Sequence, residues 1–171
     1  SLGVSAFKIA SPEINHIPLI AHVAKKNKPV IFSSGVANKE DIELAIKTVY
    51  ENSNKPQIIL LQCNSAYPSP YEDSNLLTIS DMYDAFKVIP GYSDHTIGSH
   101  CAIAAIAMGA KLIEKHICHD EIETVDSFFS MNPENFKQMI IEIRQVEKAI
   151  GSISYDVSNS AKQSLNGRRS L

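Results

Sequence analysis

Two short polar clusters, Gly91-Tyr92-Ser93-Asp94-His95-Thr96 and Glu114-Lys115-His116, each end an apolar run. Val88-Ile89 leads into the first, and Lys111-Leu112-Ile113 leads into the second. Titratable side chains at the end of a buried strand carry a desolvation cost unless they are paired or put to use. Two imidazoles from successive strands, His95 and His116, each flanked by a carboxylate (Asp94 and Glu114), suit a divalent metal with open coordination positions. The same pattern also fits two hydrogen-bonded histidines at the rim of a core, which is the ordinary reading of either one alone. Their matching positions favour a site.

Lys8 interrupts the apolar run Ala6-Phe7-Ile9-Ala10, and a buried ammonium requires an anion or a chemical role. Ser11, Ser33, Ser34, Ser65 and Ser93 also stand near strand ends. Their hydroxyls suit phosphate or carboxylate oxygens, although any one serine is also what strand ends and helix caps ordinarily carry. The sequence has no glycine-rich phosphate loop, so a phosphate would be held by a ring of strand-end donors. Glu13 fits either a sugar hydroxyl or a cap on its own helix. These residues point to a metal-assisted enzyme for an anionic, oxygen-rich small molecule. A reading of a different class, a non-catalytic sugar-phosphate binding module, would keep Lys8 and the serines but would not need both imidazoles.

The elements that must position these side chains follow from periodicity. Residues 6–10 read as a strand, and a helix follows with Asn15 as N-cap and apolar positions Ile17, Ile20, Val23 and Ala24. Val30-Ile31-Phe32 is a second strand. Asn38 then caps a helix with Glu40 and Asp41 in its first turn and Ile42, Ala45, Ile46 and Val49 on one face. Ile58-Ile59-Leu60-Leu61 gives a third strand, followed by a proline-rich loop and a weaker helix over 76–86. Val88-Ile89 is a short fourth strand. An alanine-rich helix over 99–108, closed by Gly109, leads to the fifth strand at 111–113. Asn132, Pro133 and Glu134 then start the most strongly patterned helix, with Phe136, Met139, Ile140, Ile143, Val146 and Ile150 on one face before Gly151.

Strands alternating with helices imply a parallel α/β sheet. An open sheet decorates its switch point, whereas a (β/α)8 barrel gathers every strand end at one mouth. Functional-looking residues after every strand favour the barrel. The remaining properties set bounds. The chain has 171 residues, 44% apolar and 20% charged, with a net charge of -3, a globular composition without a broad basic field for nucleic acid. Three separated cysteines, Cys63, Cys101 and Cys118, make neither a disulfide framework nor a zinc knuckle. The sequence shows no signal peptide or long apolar span, so a cytoplasmic setting without a membrane partner is expected. His100, His119, Cys101 and Cys118 are left outside the site, and His16 and His22 are placed on a helix surface. The abrupt start at Ser1 and the polar, then basic, end suggest a piece of a longer fold.

At these residues the sequence resembles the sialic-acid synthase family. The likeness lies in FKIASPE at 7–13, PVIFSSG at 29–35, LLQCNSAYPSPYED at 60–73, GYSDHTIG at 91–98, GAKLIEKH at 109–116 and RRSL at 168–171. The resemblance implies a (β/α)8 TIM barrel of which this chain covers about strands four to eight. Residues 1–151 would be the C-terminal part of the barrel, and 152–171 a linker towards an antifreeze-like domain. It implies condensation of phosphoenolpyruvate with an N-acetylated hexose to a nonulosonic acid and phosphate, in a homodimeric enzyme. His95 and His116 match the family's metal ligands, with manganese the first candidate ion and magnesium the second. Lys8, Ser11, Ser33 and Ser93 match residues that hold phosphoenolpyruvate, with Lys8 counted alongside the two histidines as catalytic. Ser65 falls where some members carry Asn. Glu13, Tyr67 and Asp126 match positions near the amino sugar. The general base and a second phosphate-binding lysine belong to the family's first strands. Val125-Asp126-Ser127-Phe128-Phe129-Ser130-Met131 resembles the pseudaminic acid branch more than the sialic one, with an N-acetylneuraminate or legionaminate synthase as the alternative, and aromatic residues there suit the methyl of a 6-deoxy sugar. The other expectation for Phe128 and Phe129 is that they anchor their loop against the last helix. Exposed sheet edges imply that the chain alone associates or dissolves poorly.

Overall fold

The computed structural model describes residues 3–119 and 122–169. Five strands, β1 (Phe7–Ile9), β2 (Val30–Ser33), β3 (Ile58–Cys63), β4 (Ile89–Asp94) and β5 (Ile113–Lys115), form one sheet in the order β1-β2-β3-β4-β5. Every neighbouring pair is parallel. A doubly wound sheet reverses its strand order at a switch point, and this order contains no reversal. The strands are therefore successive staves of a (β/α)n barrel wall, with all their C-terminal ends on one side.

Five helices connect or follow the strands: α1 (Ile17–Ala24), α2 (Lys39–Asn52), α3 (Leu77–Phe86), α4 (His100–Ala107) and α5 (Pro133–Ile150). Local chemistry starts two of them as the sequence predicts. Asn38 Oδ1 accepts from the Asp41 amide at 2.8 Å while the Asn38 amide donates to Asp41 Oδ2 at 3.1 Å, a complete capping box at α2. Asn132 Oδ1 accepts from the Asn135 amide at 2.8 Å with Pro133 in the first turn of α5. Asn15 does not cap α1. That position belongs to His16, without a side-chain cap, because a 3-10 turn at Ser11–Glu13 carries the chain one residue further first.

The pleat separates the two faces of the sheet. Ile9, Val30, Phe32, Ile58 and Leu60 pack with Ile20, Val23, Ala45, Ile46 and Val49 of α1 and α2, while Tyr92 and Ile113 pack with Ala102, Ala105, Met139 and Ile143 of α4 and α5. Alternation then turns Lys8, Ser33, Cys63, Ser93 and Glu114 to the opposite face. Gly91 is required on that face by close packing, since a Cβ there would meet Leu61 Cδ2 at 2.4 Å and the Leu112 carbonyl at 2.7 Å.

Four strands run further than predicted, β2 through Ser33 and β3 through Cys63 among them, and the other two matter most for the site. β4 extends through Asp94 and β5 through Lys115, so Ser93, Asp94, Glu114 and Lys115 lie within the ladder and not after it. Pro90-Gly91 resembles a turn in sequence, yet its neighbours β3 and β5 hold it extended. Beyond α5 every described residue from 151 to 169 is exposed, and residues Asn159–Gly167 form a 3-10 helix with no buried side chain. Ser170 and Leu171, the end of the expected linker and of its RRSL motif, lie outside the described residues. Among the described residues no helix is long and apolar enough to cross a membrane.

Candidate active site

The polar face of the sheet gathers three groups of side chains. The first is anion-seeking. Ser11 is 5% exposed; its Oγ accepts from the Gly35 amide at 3.0 Å and lies 3.8 Å from Cys63 Sγ. A Cβ on Gly35 would stand 2.3 Å from Ser65 Oγ, 3.0 Å from Cys63 Sγ and 3.0 Å from Ser11 Oγ, so only glycine leaves this cradle open. The hydroxyl oxygens of Ser33 and Ser65 are buried and have no hydrogen-bond partner. Buried unsatisfied hydroxyls are costly, and two of them beside an open cradle suit a ligand oxygen. Burial pushes the Cys63 thiol above its ordinary value, so the sulfur in the floor of the cradle is a neutral thiol and not a thiolate.

The second group contains Lys8, Glu114 and Ser93. Lys8 is not the buried cation anticipated. Its side chain is 30% exposed and its Nζ lies 3.3 Å from Glu114 Oε1. Ser93 Oγ donates to the same carboxylate oxygen at 2.8 Å. Glu114 thus occupies two donors that the sequence assigned to a ligand anion, and it does not flank the imidazoles as a third ligand.

The third group is aromatic and imidazole. His95, 6% exposed, and His116 place their ring centres 5.3 Å apart at 73°. Tyr67 tilts over His95 at 4.2 Å and meets His116 edge-on at 5.7 Å. Phe129, 4% exposed, packs against His116 at 4.9 Å and Tyr67 at 5.7 Å, and Phe128 is 68% exposed and meets Phe129 edge-on at 5.1 Å. Phe129 therefore anchors the loop against the imidazole wall, where the expected anchor was the last helix, whereas Phe128 stays exposed on its outer side. His95 Nδ1 lies 2.7 Å from the Asn64 carbonyl oxygen. Burial first, and His95 second, push the His116 imidazole below its ordinary value, against the pull of Asp126 and Glu114. Asp126 Oδ2 is 3.8 Å from His116 Nδ1, an ion-pair distance rather than a hydrogen bond. Burial likewise pushes the Tyr67 phenol up.

Asp94 corrects a second expectation. Its carboxylate does not flank His95 as a ligand but pairs with Lys115 on the helix side of the sheet, Oδ2 to Nζ at 2.9 Å, with side chains 0% and 1% exposed. Glu13 is not a helix cap either; its Oε2 faces His16 Nδ1 at 3.2 Å, with both side chains more than half exposed. Among the described residues no group of three His, Cys, Asp or Glu side chains could hold a metal ion. The imidazole pair nevertheless fits two positions of one, because His95 Nε2 is left as the unprotonated nitrogen and His116 favours its neutral form.

Three partners escaped the sequence reading. Asn64 acts through its backbone carbonyl, which carries no sequence signal. Gly35 carries no signal of its own beyond closing the PVIFSSG motif. Lys115 had a signal, since it precedes His116 as Asp94 precedes His95.

Comparison with known proteins gives a consistent likeness. The family profile described as the NeuB family matches residues 1–155. The chain is 41% identical over 167 residues to an N,N'-diacetyllegionaminic acid synthase of Campylobacter jejuni, covering 96% of this chain and 50% of that protein. It is 45% identical over 152 residues to a pseudaminic acid synthase of Helicobacter pylori, covering 88% of this chain and 44% of that protein. In structure it is similar to an N-acetylneuraminic acid (sialic acid) synthetase from Leptospira borgpetersenii solved with citrate, with a TM-score of 0.86 and 32% identity over 99% of this chain and 59% of that one. The chain spans about half the length of the curated relatives it matches.

Proposed function

Because this chain belongs to the NeuB family, we propose that it is the C-terminal half of the barrel of a nonulosonic acid synthase, which joins phosphoenolpyruvate to an N-acetylated amino sugar. The observation that carries this reading is the pair of buried, unpartnered hydroxyls, Ser33 and Ser65, beside the Gly35 cradle and one step along the face from the two imidazoles. Anion holders and an imidazole pair on one barrel mouth are what the condensation needs.

In this mechanism Ser11, Ser33, Ser65, Ser93, the Gly35 cradle and Lys8 bind the phosphate and carboxylate of phosphoenolpyruvate and offset their charge throughout. Lys8 and Ser93 must leave Glu114 to do so. Tyr67 covers the imidazoles and orients the open-chain sugar, with Asp126 beside it. His95 and His116 would hold a divalent cation, manganese or magnesium, which when bound would supply Lewis acidity towards the aldehyde oxygen. The enol carbon of phosphoenolpyruvate bonds to the aldehyde carbon, whose oxygen takes a proton. Water then adds to the carbon bearing the phosphate, and phosphate leaves by C–O cleavage, which yields the 2-keto acid. Holding both reactants at one mouth makes the step effectively unimolecular. The base that activates the water is assigned to the half of the barrel outside this chain, the exposed stretch 152–169 to a linker towards a further domain, and the working unit to a homodimer in the cytoplasm.

The favoured product is pseudaminic acid. Phe128, exposed beside the imidazole wall, supplies an apolar contact for the methyl of a 6-deoxy acceptor, a contact that discriminates by about 1–3 kcal/mol. A legionaminic acceptor is the second reading, supported by the 41% identity to a synthase of that name. The test is phosphate release by the full-length protein with manganese, phosphoenolpyruvate and each acceptor in turn: the 6-deoxy diacetamido altrose, the legionaminic precursor and N-acetylmannosamine. Release with the altrose alone is the expected result. Release with N-acetylmannosamine alone removes the role given to Phe128, and release with none removes the synthase reading.

A further inference from the structure

The last two rungs of the β4–β5 ladder set Ser93 beside Glu114 and Asp94 beside Lys115 in register, and the next step along both chains, just past the strand ends, carries His95 and His116. Ser93, Glu114 and the two imidazoles face the mouth. The Asp94–Lys115 rung between them faces the helices and is sealed from water, its side chains 0% and 1% exposed. Lys115 Nζ donates to Asp94 Oδ2 at 2.9 Å and to the Thr96 carbonyl at 2.6 Å. Asp94 Oδ1 accepts from the Thr96 amide at 2.9 Å and from Thr96 Oγ1 at 2.7 Å. Thr96 is itself 0% exposed. The cluster therefore grips the backbone on both sides of His95 and ties it to the residue that precedes His116.

A buried ion pair is a poor source of stability, because an apolar pair of similar volume commonly serves as well or better. Fold stability gives no reason for this one. Strand registry does, since a slip of one residue between β4 and β5 would turn the imidazole of the strand that slips to the helix side and separate the pair. We infer that Asp94, Lys115 and Thr96 are positioning residues, which hold the His95 and His116 rings side by side for a divalent cation while touching neither cation nor substrate. The inference rests on the metal reading proposed above.

The test uses the full-length protein and the double substitution Asp94→Asn with Lys115→Met, which removes both charges and keeps the volume. Manganese binding is measured by calorimetry, and thermal melting is measured on the metal-free protein. The melting temperature is expected to hold or rise while manganese binds about 10- to 100-fold more weakly, as when an outer partner of a metal ligand is lost. Unchanged manganese affinity would overturn the inference, and so would a variant whose melting temperature drops while its affinity holds. If the double variant does not fold, Thr96→Val decides: weaker manganese binding supports the positioning role, and unchanged binding refutes it. His116→Ala separates the two levels of the account. Wild-type protein that does not bind manganese, or His116→Ala protein that binds it as tightly as wild type, refutes the metal reading and this inference with it.

Discussion

His95 Nδ1 stands 2.7 Å from the backbone carbonyl oxygen of Asn64, at the end of the neighbouring strand. A carbonyl only accepts, so the proton sits on Nδ1 and the lone pair on Nε2. The backbone thus selects the tautomer that a metal requires. Long-range proton–nitrogen spectra of the metal-free protein are expected to give the Nδ1–H form for His95, and the Nε2–H form would contradict the site.

His116 titrates in the opposite sense to a salt-bridged histidine. Burial and His95 lower its folded value below the unfolded one of about 6.5. The folded state therefore binds this proton less readily than the unfolded chain does. Stability from this group is complete above about pH 6.5 and is lost as the pH falls through the lowered folded value. The ring-carbon resonance of His116 in metal-free protein is expected to have its midpoint below that of an unfolded histidine. A raised midpoint would mean that Asp126 dominates the site.

Ser33→Ala and Ser65→Ala separate binding from stability. Each removes a buried hydroxyl that has no partner, so the metal-free, ligand-free protein is expected to melt at the same temperature or higher, by up to about 1–3 kcal/mol of relieved desolvation. The KM for phosphoenolpyruvate is expected to rise at the same time. Lower stability with an unchanged KM would show that these hydroxyls serve the fold and not a ligand.

Much of the fold was legible because parallel strands buried on both faces appear as continuous apolar runs, such as Ile58 to Leu61. The capped helices at Asn38 and Asn132 were legible from local chemistry alone. The strand ends were not. Ser93, Asp94, Glu114 and Lys115 are polar, and polarity in sequence resembles a loop, yet each has a partner on the adjacent strand that permits it to stay in the ladder. Partnering across strands is also why Asp94 and Glu114, neighbours of the imidazoles in sequence, pair with Lys115 and with Lys8 and Ser93 in space, and why Lys8, set in an apolar run, reaches a carboxylate at the mouth and is not buried. The imidazoles themselves were legible from equal positions on successive strands, whereas the Asn64 carbonyl that orients His95 could be found only in three dimensions.

The two phenylalanines beside the imidazoles have different tasks. Phe129→Ala removes a side chain 4% exposed and is expected to cost about 3–5 kcal/mol of stability. Phe128→Ala removes one that is 68% exposed and is expected to leave stability within about 0.5 kcal/mol while shifting acceptor preference away from the 6-deoxy sugar. Denaturant melts and competition between acceptors check both. Equal stability losses for the two variants would make Phe128 an anchor too.

The most direct test is the mass of the product formed by the full-length protein from manganese, phosphoenolpyruvate and the 6-deoxy diacetamido altrose. The predicted mass is that of the sugar plus pyruvic acid, with one phosphate released per product and none formed by the His116→Ala variant. Unaltered sugar, or free pyruvate in place of the joined product, would contradict the assignment of this barrel to nonulosonic acid synthesis.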